Sequence, residues 1–226
     1  MGASIAGGRI LVLAADPDRL DAQLAGADLS LAEAGPLRDD VSTDEITPLT
    51  VMTVFDARLG RYPYVGLKAG DRLPIGVDAV RRGGFTVVVA GRRYGKGSSR
   101  EHSPLAELRA GVRLVIAESF ERIYRQNADN IGLFTSTDPG LVERIRAGEA
   151  ITVDELVAGR DALAADILRA GGLLAFGQGR AGARGTARVH AGDASGDAPG
   201  DASGDAGRGA AVDAAVDAAG SRPTAA

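Results

Sequence analysis

The chain has 226 residues, a formal net charge of −4 and 45% hydrophobic residues, but only 4% of its residues are aromatic. This length suits one domain or one and a half, and the core is expected to be built from aliphatic side chains. The sequence contains no cysteine, which excludes a disulfide framework, a zinc ribbon and an iron–sulfur cluster ligated by this chain alone.

The charge and the hydropathy pattern also argue against nucleic acid and membranes as binding partners. A net negative charge argues against nucleic acid, because a phosphate backbone requires a concentrated basic face. No apolar run approaches the roughly 20 residues that span a bilayer. The N-terminus lacks the basic start and long apolar block of a secretory signal. We therefore expect no nucleic acid partner, no membrane partner and a cytoplasmic location.

The first part of the chain contains one clear strand and one clear helix start. Residues 1–8 are predicted to be a flexible N-terminus, and the apolar run of residues 9–14 predicts a buried strand. Asp16 and Pro17 predict a helix start, because aspartate is a good N-cap and proline suits the first helical turn. The polar segment 36–48 is predicted to be a loop whose side chains bond to nearby backbone groups.

The centre of the chain alternates strands with helices. Apolar and β-branched runs predict strands at residues 85–90, 112–117 and 131–134, and helices are predicted at 99–110, 119–127, 141–147 and 161–170. Ser119 is predicted to cap the second of these helices. The order strand–helix–strand–helix–strand is typical of an α/β layer with parallel strands, so we predict the α/β fold class.

The C-terminal part is a low-complexity sequence. It is rich in glycine, alanine and arginine after residue 177, and residues 192–205 repeat short Gly-Asp-Ala units. Small residues and carboxylates that have nothing to bury do not offset the entropy of ordering the chain. We therefore predict a folded domain over residues 9–177 and a disordered tail over residues 178–226.

Residues 91–99 form a glycine-rich loop between a strand and a helix. Glycine lets the backbone approach a ligand closely, and the start of the next helix presents free N–H groups, so anion-binding loops occur at such places. The P-loop pattern fails because Gly97 separates Lys96 from the next serine, and the dinucleotide fingerprint Gly-x-Gly-x-x-Gly is absent here. A plain strand-to-helix turn stays an equal alternative at this point.

Ser98, Ser99 and Arg100 favour the anion-binding interpretation. Arginine binds carboxylates in a bidentate manner. A hydroxyl surrounded by hydrogen-bond donors has its ionised form stabilised, as a serine general base requires. The loop is therefore predicted to hold one carboxylate of a substrate and to take a proton from the adjacent carbon.

Three segments together resemble the swivel domain of the aconitase superfamily. Residues 95–104 resemble its G-x-G-S-S-R-E-H signature, and residues 111–127 are similar to its G-x-R-x-V-I-A-x-S-F-x-x-I-x-x-x-N block. Residues 40–48 are similar to its D-x-x-T-D-x-I-x-P segment. The segments stand in the family's order over residues 39–135. The chain is therefore identified as a member of the aconitase/3-isopropylmalate dehydratase small-subunit superfamily.

This resemblance implies a fold, a partner and a reaction. The implied fold is a swivelling β/β/α domain of the aconitase C-terminal or isopropylmalate dehydratase small-subunit type, which closes over a large catalytic domain carrying a 4Fe-4S cluster on three cysteines. Because this sequence has no cysteine, the resemblance implies a separate small subunit, a large partner subunit that binds the cluster, and no metal site in this chain. The implied reaction dehydrates and rehydrates an isopropylmalate- or aconitate-like hydroxy di- or tricarboxylic acid.

The resemblance also implies roles for residues of the glycine-rich loop. Ser98 matches the catalytic base, and Arg100 matches the residue that grips a carboxylate. Ser99 and Gly97 match positions that contact the substrate. His102, on the helix after the loop, is expected to have a packing role.

Further roles fall on the segments before this loop. Thr43 and Asp44 match residues that orient groups at the domain interface, and Asp44 is grouped with the catalytic residues. A second carboxylate-binding arginine is expected shortly after this segment, where Arg58 and Arg61 are both candidates.

Two other functions compete with the hydro-lyase subunit. One is a non-catalytic carboxylate-binding or regulatory module that keeps the swivel fold, against which the intact sequence of Ser98 to Arg100 argues. The other is a P-loop nucleotide enzyme, which ranks far behind because its motif is incomplete.

Overall fold

The computed structural model describes residues 4–5, 7–98 and 100–181, and the fold is given for these residues. The predicted disordered tail begins at residue 178, and residues 182–226 of it lie outside the described residues. A helical segment at residues 173–181 runs past the predicted end of the folded domain at 177.

The described residues form short strands and helices in alternation. The strands are β1 (Ser4–Ile5), β2 (Arg9–Val12), β3 (Phe85–Ala90), β4 (Leu114–Ala117), β5 (Phe134–Ser136) and β6 (Ile151–Thr152). The helices are α1 (Pro17–Leu24), α2 (Leu31–Ala34), α3 (Thr43–Ile46), α4 (Ala79–Arg82), α5 (His102–Ala110), α6 (Arg122–Ile131), α7 (Gly140–Arg146), α8 (Val153–Val157) and α9 (Ala162–Arg169). Two 3₁₀ helices lie at Leu49–Val51 and Ala57–Arg61.

Four strands form one parallel sheet in the order β2-β3-β4-β5. Val88 at the middle of β3 lies opposite Leu11 on β2 and Val115 on β4. The crossovers from β3 to β4 and from β4 to β5 contain α5 and α6, as parallel strands require. This arrangement confirms the predicted α/β fold class.

Both faces of the sheet are buried, which explains why its strands are continuous apolar runs. Side chains alternate between two hydrophobic clusters along β3: Val88 packs with residues of α5 and α6, whereas Val87 packs with residues of α7. The first cluster also contains Tyr64, Tyr94 and Tyr124, which are among the largest buried side chains. The sheet is therefore the middle of three layers.

The N-terminus differs from the sequence prediction. Ser4 and Ile5 pair antiparallel with Thr152 and Ile151, and Ile5 is buried in the cluster on the α7 face. The apolar side chain of Ile5 supplies the burial that holds this short strand. The ordered structure therefore begins before residue 9.

Two helix starts also differ from the prediction. The helix predicted from residue 99 begins at His102, because the preceding residues are held by hydrogen bonds to other loops. The helix predicted to be capped by Ser119 begins at Arg122. The hydroxyl of Ser119 accepts instead from the backbone N–H of Arg93, at 2.9 Å. By contrast, the predicted cap of α1 is confirmed, since the side chain of Asp16 accepts from Asp18 N–H.

No helix in the part of the chain that the structure describes is long and apolar enough to cross a membrane.

Candidate active site

Three loops meet at the carboxyl edge of the sheet, where its parallel strands end. They are the Thr43 loop (residues 38–47), the glycine-rich loop (residues 91–101) and the β4–α6 loop (residues 118–121). The carboxyl edge of an open α/β sheet is where ligands usually bind, because the loops that follow neighbouring strands converge there.

Backbone hydrogen bonds fix the glycine-rich loop to both of its neighbours. Gly95 N–H donates to Val41 O at 2.9 Å, and Thr43 N–H donates to Lys96 O at 2.8 Å. On the other side, Tyr94 N–H donates to Ser119 O at 2.9 Å. These bonds are long-range in sequence, so the loop geometry depends on the folded domain rather than on local sequence.

The Thr43 loop contains a single helical turn with a capping box. Ser42 is the N-cap of α3: its hydroxyl accepts from Glu45 N–H at 3.1 Å, and its own N–H donates to the Glu45 carboxylate at 2.8 Å. Arg38 pairs with the same carboxylate at 2.8 Å. Because a capping box satisfies two helix-end donors at once, it fixes Thr43 and Asp44 in the first turn.

Glycine is required at two positions of the glycine-rich loop. Gly95 has φ +80°, and a Cβ atom there would lie 2.2 Å from the ring of Tyr124. Gly97 has φ +111°, and a Cβ atom there would lie 3.3 Å from Thr43 Oγ1. Both positions combine a left-handed backbone with a close neighbour, which only glycine tolerates without strain.

A cavity of about 220 Å³ opens between the three loops. Ser98 is exposed on it. The walls are formed by the two glycines, by residues of the Thr43 loop and by the start of α6; they comprise Thr43, Gly95, Gly97, Ser98, Arg100, Glu121, Arg122, Ile123 and Tyr124. The structure thus brings four of the predicted site residues together, namely Thr43, Gly97, Ser98 and Arg100.

Arg100 reaches back from the glycine-rich loop to the Thr43 loop. Its Nη1 donates to the Asp44 carboxylate at 2.5 Å and to Thr47 O at 3.2 Å. The Arg100 side chain is only 10% exposed, whereas that of Asp44 is 58% exposed. These bonds use only Nη1 and fix the plane of the guanidinium, which leaves Nη2 and Nε available to a carboxylate.

Thr43 holds the backbone next to Ser98. Thr43 is buried, and its hydroxyl donates to Ser98 O at 3.2 Å. The hydroxyl of Ser103 in turn donates to Thr43 O at 3.1 Å. Ser99, which was predicted to contact the substrate, lies outside the described residues.

Arg58 and Arg61 lie elsewhere. Both stand on the 3₁₀ helix at Ala57–Arg61, and neither lines the cavity. The guanidinium of Arg58 pairs with Asp56 of its own turn at 2.8 Å. His102 has the expected packing position, with its ring centroid 4.8 Å from that of Phe55.

Arg122 is a cavity residue that the sequence analysis missed. It stands at the first position of α6, five residues after the end of β4. A cation at that place, next to the carboxyl edge of a predicted parallel strand, is the signal that would have found it. With Arg100, it gives the cavity two guanidinium groups.

The chain offers no cysteine ligand for an iron–sulfur cluster, because its sequence has no cysteine. Among residues 4–5, 7–98 and 100–181, no group of three or more His, Cys, Asp or Glu side chains is placed to hold a metal ion. The described residues therefore supply no set of ligands for such a cluster.

The chain is similar in sequence to known proteins of one family. The family model of the aconitase C-terminal domain matches residues 77–137. The 3-isopropylmalate dehydratase small subunit of Pyrobaculum aerophilum is 35% identical over 152 residues, which are 61% of this chain and 90% of that protein. The small subunit of Aquifex aeolicus is 37% identical over 155 residues, which are 61% of this chain and 88% of that protein. The chain belongs to the 3-isopropylmalate dehydratase small-subunit family.

A solved structure supports membership of the 3-isopropylmalate dehydratase small-subunit family. The crystal structure of 3-isopropylmalate dehydratase from Methanocaldococcus jannaschii is similar with a TM-score of 0.50 and 28% identity, over 67% of this chain and 95% of that chain. The predicted aconitase-type α/β fold is therefore confirmed. Since the relatives are dehydratase subunits, membership of the family makes this chain a hydro-lyase subunit.

The family match also covers most of the cavity. Residues 77–137 include the glycine-rich loop and the β4–α6 loop, and therefore Ser98, Arg100 and Arg122. The Thr43 loop precedes the matched range and is joined to it by the hydrogen bonds of Val41 and Thr43.

Proposed function

We propose that this chain is the small subunit of an iron–sulfur-dependent hydro-lyase that dehydrates and rehydrates an isopropylmalate- or aconitate-like hydroxy di- or tricarboxylic acid. The observation that carries the proposal is the shared cavity of Ser98 and Arg100, which places a candidate base beside a carboxylate-binding guanidinium. The chain supplies these groups, and it is active only with a large partner subunit that has three cluster cysteines.

Because this sequence contains no cysteine, we propose that the partner ligates the 4Fe-4S cluster. When it is bound there, the cluster supplies a Lewis-acidic iron that polarises the substrate hydroxyl. The cavity of this chain lies open at the carboxyl edge of the sheet, so the large subunit closes it from the solvent side.

Ser98 is proposed as the base that takes the proton from the carbon next to the hydroxyl-bearing carbon. Its side chain faces the cavity, and its carbonyl is held by Thr43. The guanidinium groups of Arg100 and Arg122 line the same cavity. Nearby positive charge favours the ionised form of a hydroxyl, which is the form that accepts the proton.

The two arginines are proposed to bind the two carboxylates that every substrate of this class has. Asp44 acts by fixing the guanidinium of Arg100, to which it is hydrogen-bonded at 2.5 Å. Arg122 takes the second carboxylate in place of Arg58 and Arg61, because it lines the cavity and they do not. Gly97 is proposed to contact the substrate through its backbone, and Ser99 is proposed to contribute hydrogen bonds to the substrate or the loop.

The substrate class is tested with the complex of this chain and its large subunit. The rate of unsaturated acid formation is measured with isopropylmalate, citrate and a methyl-substituted malate. We expect turnover of at least one of these acids, and no turnover of a monocarboxylic hydroxy acid, since the cavity would then leave one guanidinium unpaired. Equal rates with mono- and dicarboxylic acids would contradict the proposal.

A calorimetric titration separates this function from that of a regulatory module. If this chain holds half of an active site, the isolated chain binds a dicarboxylic acid only weakly, because half of the contacts are missing. Tight binding by the isolated chain, with no activity after the large subunit is added, would favour the regulatory module.

The capping box of the Thr43 loop gives a matched pair of variants. Ser42→Ala and Ser30→Ala each remove the N-cap of a four-residue helix with the same capping box. Each is expected to lower the free energy of unfolding by about 1 kcal/mol, as measured by urea denaturation. Only Ser42→Ala is expected to raise KM, by about threefold or more, because α3 carries Thr43 and Asp44. The change in KM therefore reports on the site, whereas the change in stability does not. An equal KM for both variants would show that α3 does not position the cavity.

A further inference from the structure

A buried glutamate with no role in the proposed mechanism lies beneath the cavity. Glu107 on α5 is 0% exposed. No ion pair to it occurs within the described part of the chain. A carboxyl group without a cation in the core has a high desolvation cost, so it requires other hydrogen-bond partners.

Three tyrosine hydroxyls converge on this carboxyl group. The hydroxyls of Tyr64 and Tyr94 contact Oε1, the latter at 2.6 Å, and the hydroxyl of Tyr124 contacts Oε2 at 2.5 Å. The hydroxyls of Tyr64 and Tyr94 also contact each other at 2.7 Å. All three tyrosines are buried. We call these four residues the Glu107 cluster.

A count of hydrogens indicates the protonation state of the cluster. There are four oxygen–oxygen contacts, and each requires one hydrogen. The three phenols supply three, and a protonated carboxyl group supplies the fourth. With an ionised Glu107, one contact would join two oxygens with no hydrogen between them. The neutral carboxylic acid therefore satisfies the cluster, and the carboxylate does not.

The surroundings of Glu107 agree with this count. Burial raises the pKa of Glu107 to about 7, although the three tyrosine hydrogen bonds act in the opposite direction. Burial and the neighbouring Glu107 raise the pKa of each tyrosine well above its usual value, so the phenols keep their protons at neutral pH.

The cluster connects the segments that build the cavity. Tyr94 belongs to the glycine-rich loop, and Tyr124 lines the cavity from α6. The ring of Tyr124 lies directly beneath Gly95, where a Cβ atom would be 2.2 Å from it. Tyr64 N–H donates to Ile46 O at the end of α3, at 2.8 Å. One carboxyl group on α5 thus holds all three segments.

We propose that Glu107, held in its protonated form by Tyr64, Tyr94 and Tyr124, is a positioning residue that sets the place of Ser98 through the glycine-rich loop. The proposal rests on the proposed function, because its effect is read on the reaction that Ser98 carries out. Loss of the proton leaves a buried charge and one contact without a hydrogen, which loosens the loop.

The only titratable groups that contact Glu107 within the described residues are three tyrosines, so a pH dependence near neutrality is ascribed to Glu107 itself. They are Tyr64 from the segment after the 3₁₀ helix, Tyr94 from the glycine-rich loop and Tyr124 from α6. The charged side chains of the elements packed nearby make no hydrogen bond or ion pair to it; they are Asp44 and Glu45 on α3, Arg58 and Arg61 on the 3₁₀ helix, and Arg122, Arg125 and Asp129 on α6.

The central test is the pH profile of kcat/KM for the complex with the large subunit. In the unmodified complex, kcat/KM is expected to fall about fivefold as the pH rises through about 7, which corresponds to the loss of one hydrogen bond. Glu107→Gln does not titrate, so this inflection is expected to disappear. Glu143→Gln, an exposed glutamate on α7, is the control and keeps the inflection.

A second variant shifts the inflection without removing it. Tyr124→Phe keeps the ring beneath Gly95 but removes a hydrogen bond that lowers the pKa of Glu107. The inflection is therefore expected to move to higher pH. An unchanged profile in both Glu107→Gln and Tyr124→Phe would overturn the positioning role.

Two measurements on the full chain alone keep this test separate from the proposed function. In a carbon-13 NMR titration, one glutamate carboxyl is expected to titrate near pH 7 and to be missing in Glu107→Gln. Between about pH 4.5 and 7, Glu107 keeps its proton in the folded chain and loses it in the unfolded chain. The free energy of unfolding therefore falls as the pH rises across this range. It is expected to fall less in Glu107→Gln. If no glutamate titrates above pH 6, the cluster proposal is wrong even where the complex is active. If the glutamate titrates but no complex is active, the proposed function fails instead.

Discussion

Replacing Ser98 by alanine is expected to lower kcat of the complex with the large subunit by about 10²- to 10⁴-fold, the usual effect of losing a positioned general base. The chain itself is expected to fold and assemble normally, because Ser98 is exposed and its hydroxyl bonds to no other described residue. The hydrogen bond from Thr43 is to the Ser98 carbonyl, which alanine keeps. Steady-state kinetics and thermal unfolding of the variant check the two parts of this prediction.

Ser4→Ala is the control for this variant. Ser4 is exposed on β1 and lies on the two-stranded sheet, outside the cavity. It is expected to leave kcat and KM unchanged. If the kinetics of Ser98→Ala were close to those of Ser4→Ala, another group would have to be the base.

Arg100→Lys is expected to raise KM about 10- to 100-fold with a smaller effect on kcat. A guanidinium binds Asp44, Thr47 O and a substrate carboxylate through separate N–H groups of one plane, whereas an ammonium is a single point of charge. The variant keeps the positive charge but loses the planar arrangement of N–H donors. The lost hydrogen bonds contribute about equally to binding of the substrate and of the transition state, so KM rises more than kcat falls. Full saturation curves with two dicarboxylic acids measure the KM and kcat of the variant.

Arg92→Lys is the matched control, since Arg92 lies in the same loop and pairs with Asp39 at 2.7 Å. It is exposed and does not line the cavity, so its KM is expected to stay within about twofold of the unmodified value. Similar KM values for the two variants would show that Arg100 does not bind the substrate.

Strands β2, β3 and β4 were predictable because their signals are local. The strand predicted at residues 131–134 was wrong except at Phe134, since Ile131 ends α6 and β5 runs over Phe134–Ser136. The β-branched run of residues 85–90 coincides with β3, and Asp16 with Pro17 marks the start of α1. The start of α5 was not predictable in the same way. Residues 99–101 look compatible with a helix, but the N–H groups of Tyr94 and Gly95 donate to the distant carbonyls of Ser119 and Val41. These bonds hold the preceding loop, and the helix begins only at His102.

The same distinction explains which site residues the sequence indicated. Ser98 and Arg100 stand in one continuous motif, and Thr43 and Asp44 stand in a second motif that the resemblance placed beside it. The roles of Glu107 and Arg122 depend on which segments meet in space. Glu107 lies on a helix whose other buried residues are small or apolar, and nothing in the sequence around it shows that three tyrosines from distant segments converge on it.

The division of the active site between two subunits is tested most directly by a titration of the large subunit with this chain. At a fixed concentration of cluster-loaded large subunit, the rate of isopropylmalate dehydration is measured while the chain is added. We expect no turnover by either protein alone and a rate that rises to a plateau as the chain saturates its partner. Turnover of the acid by this chain alone, or by the large subunit without it, would contradict the claim that the chain holds one half of the active site.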